Sequence, residues 1–404
     1  MKKLIKSILK PPYSYLRYVA LRYLKNRYYK SFELADGLEL KLVSDKSMYY
    51  FGYYNVSPEN NKGQVLFCSP STKSSMGMYV SDNGKDILIG ETTAHNLQQG
   101  CMSQWGYTNN NKAYYNQYNA DADRYECVVY DADAYKQIAV LPMPINAMSK
   151  QENYALSLNY DRLAEMRPDY GYFCRENKAL PNNDADGIWH IDMESQEIKL
   201  IITLQQLIDL NYVETMDGAK HKVNHIDIAP DGRRFMFLHR WVGPKGRYMR
   251  LITANADGSD LYILNGDKMT SHSYWVDSNR IVSFCYTPET GDAYVMFEDK
   301  SSNRKLVSDK LPKVDGHPST INNGEWMVTD TYPAHDRMSR LYLYNIKTDN
   351  LICLGRFYQP LKYKGFGRID LHPKWNMQGT AVYFESGHNG KRRLYKINVE
   401  SLLK

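Results

Sequence analysis

The sequence predicts an all-β chain, a seven-bladed β-propeller with a short basic N-terminal helix, and three observations carry that prediction. From residue 33 onward, short runs of Val, Ile, Tyr and Phe alternate with Asn, Asp and Gly turns, and helical periodicity almost disappears. A loose unit of roughly 45 residues recurs along the chain, as repeat architectures require. Tyr is in large excess at 35 residues, and it suits strands and ligand-facing surfaces, where one end of the ring is dry and the other wet.

Each unit holds a polar start, a short strand, a turn such as "PDG" or "NNG", a second strand, a polar loop, a third strand ending in "LY", and a fourth. The clearest copies are "NHIDIAPDGRRFMFLHRWVGPKGRYMRLITANADGSDLYIL" (224–264), "SHSYWVDSNRIVSFCYTPETGDAYVMFE" (271–298) and "GHPSTINNGEWMVTDTYPAHDRMSRLYLYNIKTDNLICLG" (316–355). Weaker copies begin near Gly52, Gly100 and Asn146. The last copy, "IDLHPKWNMQGTAVYFESGHNGKRRLYKINV" (369–399), brings the count to seven and ends after three strands. Four-stranded units that bury their faces only against their neighbours make a propeller. "ELADGLELKLVS" (33–44) is expected to supply the missing outer strand and close the ring, so the propeller spans residues 33–404. Residues 202–221, "ITLQQLIDLNYVETMDGAKH", read as a helical insertion between blades. A pair of stacked β domains is the alternative architecture.

The net charge of +6 sits in one segment. Residues 1–32 hold nine Lys or Arg and no acid, which leaves the rest close to neutral and makes nucleic acid no expected partner. Lys6 and Lys10 interrupt the apolar run of a signal peptide, and the segment is too polar to span a bilayer. After Pro11 and Pro12, Leu16, Val19, Ala20, Leu21, Leu24 and Tyr28 share a helical face flanked by Arg17, Arg22, Lys25 and Arg27. Such a face lies on an anionic membrane, each basic residue adding roughly 1 kcal/mol, so residues 1–31 are expected to meet that surface. A solvated helix packed on the main domain is the alternative. The six Cys are widely spaced with no CxxC, which points to a reducing compartment, the cytoplasm or the inner face of the inner membrane.

In a propeller the innermost strands start on one face beside the central channel, and the loops between second and third strands emerge on that face. Blade starts therefore converge Asn224 with His225, His272, His317, and Asp370 with His372. The loops after second strands add Arg162, His239 with Arg240 and Trp241, Asp330 with Tyr332, and His388. A lone blade-start His ordinarily hydrogen-bonds a neighbouring backbone, but four blades starting alike argue for a shared polar site at the channel mouth. Arg162, Arg167 and Tyr170 lie in "NYDRLAEMRPDYGYF", a long loop outside the regular blade. An ion pair of that loop with Asp161 or Glu165 is the structural alternative. Arg162, Arg167, Trp241, His272 and Asp330 are the expected substrate-binding residues.

The C-terminal half resembles the oligogalacturonate lyases, seven-bladed propellers of bacterial pectin breakdown that bind a divalent metal such as manganese through three His and one Gln. "HIDIAPDGRRFMFLHRW" is similar to their His-led repeat followed by a His-Arg pair, and "SHSYW" to their Gly-His-Glu-Phe-Trp. "DLHPKWNMQG" resembles their His-x-His-Pro-Arg-Phe-Ser-Pro-Asp-Gly. On that match His372 falls on the second metal His, Asp370 on the first, Gly367 on the Gln, and His317 corresponds to the remaining ligand. The resemblance thus implies a metal site of His317, Asp370 and His372, with manganese or another first-row ion suited to two imidazoles and a carboxylate. "DGHPS", "VTDTYP", "LYLY" and "DLHP" also resemble uncharacterised propellers of bacterial capsule and surface-polysaccharide loci.

Elimination across C4 and C5 of a uronic acid needs the carboxylate neutralised, by a metal or an Arg fork, and a base near the C5 proton. On this reading Arg240 and Arg162 hold carboxylates, His239 or His225 is the base, and Tyr332 stacks on or donates to a sugar. Three function classes follow: a lyase acting on an acidic oligosaccharide, a membrane-associated, glycosyltransferase-like enzyme of capsular or O-antigen assembly, and a non-catalytic propeller that binds a glycan or protein.

Overall fold

Short apolar runs separated by tight polar turns favour pairing with the sequence neighbour. The structure, a computed structural model, follows that rule in every blade. It describes residue 16 and residues 31–108, 111–175 and 178–404. The expected basic amphipathic helix, and with it the membrane-facing stripe, falls almost wholly outside the described residues. Among the described residues no helix is long and apolar enough to cross a membrane.

Seven antiparallel sheets form the blades in chain order. Blade 1 comprises Val65–Pro70, Met76–Asp82 and Lys85–Thr92, and its inner position is reduced to two bridges, Tyr50 with Cys68 and Glu59 with Val65. Blade 2 runs Gln104–Trp105, Lys112–Asn119, Arg124–Asp131 and Lys136–Leu141. Blade 3 runs Ala147–Met148, Tyr154–Leu158, Gly187–Asp192 and Ile198–Thr203. Blade 4 runs Lys220–Ile228, Arg234–Gly243, Gly246–Asn255 and Tyr262–Asn265. Blade 5 runs Thr270–Trp275, Arg280–Thr287, Gly291–Glu298 and Arg304–Leu306. Blade 6 runs Ser319–Ile321, Trp326–Asp330, Met338–Asn345 and Asn350–Tyr358. Blade 7 has Lys374–Trp375, Ala381–Ser386 and Arg393–Asn398.

The N-terminal segment closes the ring in two steps. Lys41–Leu42 forms the fourth strand of blade 7, opposite Lys396 and Tyr395. Before that, Phe32–Leu34 adds a fifth strand to blade 6, Phe32 facing Phe357 and Leu34 facing Gly355. Of the segment 33–44 expected to supply the outer strand, Lys41–Leu42 does so; the turn at Asp36–Gly37, with Gly37 at φ 79, separates it from Phe32–Leu34. Phe32, Leu34, Leu38 and Leu40 pack on a core of Trp326, Leu341, Phe357, Trp375 and Phe384 shared by blades 6 and 7.

Two helices interrupt the blades. Helix α1, Tyr160–Met166, lies between the second and third strands of blade 3, inside the long loop predicted there. Helix α2, Leu204–Leu210, falls in the predicted insertion between blades 3 and 4. Its Thr203 and Gln206 form a capping box, each side chain accepting the other residue's backbone N–H at 3.0 and 2.8 Å.

The seam between blades 7 and 1 carries a fully buried ion cluster. Glu385 accepts from Lys374 Nζ at 3.0 Å, from Arg392 and from the Gly52 N–H at 3.3 Å. Lys374 also donates to the Gly52 carbonyl at 2.9 Å. Gly52 sits at φ 137, and a Cβ there would meet the Gln99 carbonyl at 2.9 Å, so only glycine fits. This pinned backbone delivers the next two residues, Tyr53 and Tyr54, into the channel.

Candidate functional site

Four blades open with a histidine, and the backbone turns each ring towards the axis. In blades 4 and 5 the inner strand slips register between Asn224 and Asp227 and between Thr270 and Ser273. These bulges lift His225 and His272 out of the ladder. In blades 6 and 7, His317 and His372 sit two residues ahead of the inner strands. His225 at φ 56 and His372 at φ 45 adopt the left-handed conformation, uncommon off glycine and concentrated at functional sites.

The rings form one chain of contacts. His225 and His272 lie 5.8 Å apart between centroids, His272 and His317 4.0 Å, and His317 and His372 4.4 Å. Tyr53 stands in their midst, stacked on His225 at 5.2 Å and edge-on to His372 at 5.3 Å. Tyr54 packs on His272 and His317 and donates to the Ser273 carbonyl at 2.8 Å. The sequence places these histidines at an open mouth; the structure buries His272, His317 and His372 because the two tyrosines fill the channel.

Carboxylates behind the rings fix their orientation. Asp330 Oδ1 accepts from the His317 backbone N–H and lies 2.8 Å from His317 Nδ1, while its Oδ2 accepts from the His372 N–H at 3.2 Å. Asp315 pairs with His272 Nδ1 at 3.0 Å and accepts from Ser271 at 2.7 Å. His317 Nε2 and both ring nitrogens of His372 are buried without a partner among the described residues. Ligand atoms of His317, Asp370 and His372 all lie within 4.8 Å of one another. Asp370 Oδ2 also accepts from Arg368 Nε at 2.8 Å, and Arg368 reaches Asp169 at 3.1 Å.

Electrostatics divide the rings. Burial, then Arg240, pushes His225 well below the ordinary imidazole range; burial and His317 bring His272 down to about 4. Burial and His317 also hold His372 far down. For His317 burial opposes the charge, but Asp330, with Asp370 and Asp315, outweighs it and the net shift is upward. Burial raises Asp370.

Of the residues expected at the site, the structure gathers His225, His272, His317, Asp330, Asp370 and His372 at the channel. Tyr332 stands beside it, 5.9 Å from His317. Arg167 flanks it, its Nε paired with Asp169 at 3.0 Å and its guanidinium over Tyr170 at 4.8 Å. Arg240 is buried where its charge reaches His225. Asp330 orients histidines here rather than facing a ligand.

Four residues go elsewhere. Arg162 is buried against Asp186 at 2.5 Å and donates to the carbonyls of Pro181 and His221, so its partner is neither Asp161 nor Glu165. His239 is fully buried, 3.0 Å from His221 Nδ1 and accepting from Arg250 Nε at 3.2 Å. Trp241 packs with Ile208 and Met216 and donates to Thr215 at 3.1 Å. His388 is likewise packed among Phe32, Phe357 and Tyr395. Sequence reasoning missed Tyr53, Tyr54, Asp315 and Arg368; the signal for the tyrosines was "FGYYN", a blade start whose strand is too short to show.

No family model matches the sequence, and no curated protein matches it. Solved structures do. The oligogalacturonate lyase of Vibrio parahaemolyticus shares 14% identity, with 92% of this chain and 98% of that one covered at a TM-score of 0.67. An oligogalacturonate lyase in complex with manganese shares 16% identity over 91% and 98%, at a TM-score of 0.63. Likeness at these identities is likeness of fold, and the fold is the seven-bladed β-propeller.

Proposed function

We propose that the protein is a carbohydrate-active propeller that holds a divalent metal, manganese by preference, at His317, Asp370 and His372. It acts on an acidic, uronate-containing oligosaccharide by β-elimination. The observation that carries this reading is the buried triad in which three of the four imidazole nitrogens, His317 Nε2 and both of His372, have no hydrogen-bond partner among the described residues. Each orphaned buried polar atom costs about 1–3 kcal/mol, a cost a bound cation removes. Two imidazoles and a carboxylate suit a first-row ion. The Asp330 carboxylate on His317 is the kind of outer partner that orients metal-binding imidazoles. The manganese bound by one structural neighbour supports the same choice.

When bound, the metal would draw charge from the uronate carboxylate and so acidify the C5 proton. His225, beside Tyr53 and with no hydrogen-bond partner at Nδ1 among the described residues, takes that proton. The C5–H electron pair becomes the C4–C5 double bond, the C4–O bond breaks with its electrons on oxygen, and that oxygen takes a proton from solvent. Tyr332 stacks on the sugar at the mouth. Oligogalacturonate incubated with the manganese-loaded protein is expected to develop the ultraviolet absorbance of an unsaturated uronate. His225→Gln should slow it by about a hundredfold or more, the usual worth of a general base. No absorbance with any uronate-containing oligosaccharide would overturn the elimination reading.

A second reading, glycan assembly at a membrane, is favoured by the nine Lys or Arg of residues 1–32. Binding of the full chain to vesicles containing acidic lipid should then weaken as salt rises, since charges are screened beyond about 10 Å at 0.1 M. Equal binding to neutral vesicles, or none to either kind, would remove it.

A further inference from the structure

The inner two strands of blade 4 set two cations directly opposite each other. Lys222 pairs in register with Arg240, and the neighbouring pair of strands sets Val242 opposite Arg247. Strand side chains alternate, so Lys220, Lys222, Arg240, Val242, Arg247 and Met249 all occupy one face of the sheet. The C-terminal end of α1, Glu165 to Arg167, covers that face, and between them lies a pocket of about 440 Å³.

The charges in the pocket do not cancel. Glu165 is taken by Lys220, and Asp169 by Arg167 and Arg368. Lys222 is 3% exposed and donates to the Met166 carbonyl at 2.9 Å, an uncharged partner. Arg240 is 9% exposed, and its Nε has no partner among the described residues. Arg247 is exposed on the rim. Like charges directly opposite in a sheet are destabilising, and a buried cation without a counter-charge is more so. Burial, then Arg240, accordingly brings Lys222 down to about 7.

We propose that this pocket is a binding site for a phosphate-type oxyanion, held by Arg240, Lys222 and Arg247 and, resting on the carbohydrate reading above, carried by a sugar. Charge selects phosphate over uronate. A carboxylate brings a single negative charge to two guanidiniums and a lysine whose proton a bound anion would hold, whereas a phosphomonoester brings about −1.5 to −2 and three acceptor oxygens. The fork of Arg240 suits a tetrahedral oxyanion in two-bonded geometry, and Lys222 supplies the point charge. The site is separate from the metal triad, and occupying it requires no elimination.

Calorimetric titration of the metal-free full chain at neutral pH tests it, with inorganic phosphate, glucose 1-phosphate and galacturonate as probes. Phosphate or glucose 1-phosphate should bind one to one, at least about tenfold more tightly than galacturonate, and Arg240→Gln should weaken it by about tenfold or more, as losing a charge-assisted contact does. Arg247→Ala, at an exposed position, should weaken it several-fold and keeps the test readable if Arg240→Gln misfolds. Glucose 1-phosphate binding more tightly than inorganic phosphate identifies the sugar-linked group as the ligand. Tighter binding of inorganic phosphate overturns the sugar part of the proposal. Galacturonate binding as well as phosphate, phosphate binding that neither variant weakens, or no saturable binding at all would overturn the site. Absence of lyase activity would bear on none of these outcomes.

Discussion

Deleting residues 1–44 is expected to lower the melting temperature of the propeller by roughly 5 °C or more, while deleting 1–30 leaves it unchanged. The longer deletion removes both closing strands, Phe32–Leu34 and Lys41–Leu42. It also strips Phe32, Leu34, Leu38 and Leu40 from the core of blades 6 and 7. Half-burying four such side chains is worth about 4 kcal/mol, which for a chain of this size gives the shift stated. It further leaves two sheet edges open to pairing with other chains, so aggregation should accompany the loss. Equal melting of the two truncations would show that the ring closes without the N-terminal segment. Thermal scans of the two proteins beside the full chain decide it.

His372→Ala should weaken manganese binding by at least about a hundredfold, more than loss of an outer-layer partner ordinarily costs. The metal-free protein should change by only about 1 kcal/mol. His372 is completely buried, so packing is lost, but the same substitution removes two ring nitrogens that have no partner among the described residues, and the effects offset. His372→Gly, which relieves the strain of φ 45, separates backbone from ligand effects: both variants should lose the metal. A variant that binds manganese normally but melts several kcal/mol lower would make His372 scaffold.

The blades were legible because each is a local object: alternating strands and tight turns settle pairing with the sequence neighbour, and the histidine-led starts settle which residues meet at the axis. What escaped the sequence was the parity of individual strand positions. "LHR" put His239 and Arg240 in one site, yet adjacent strand residues face opposite sides. Register settles it: His239 pairs with Val223 and Arg250 on one face, Arg240 with Lys222 and Met249 on the other. A slip of one residue would exchange their roles, and periodicity alone does not fix that slip. Arg162 escaped for another reason, since its partner Asp186 lies 24 residues away across an irregular loop. Tyr53 escaped because the inner strand of blade 1 is reduced to isolated bridges, too short to carry a pattern.

Anomalous diffraction at the manganese edge, from crystals of the full chain soaked in manganese chloride, reads out which residues hold the metal. One strong peak is expected in bonding contact with His317, Asp370 and His372, beside Tyr53 in the channel, and no such peak in the His372→Ala protein. A channel without a peak in the unaltered protein, or a peak held by other residues while His317, Asp370 and His372 stay unliganded, would contradict the metal site.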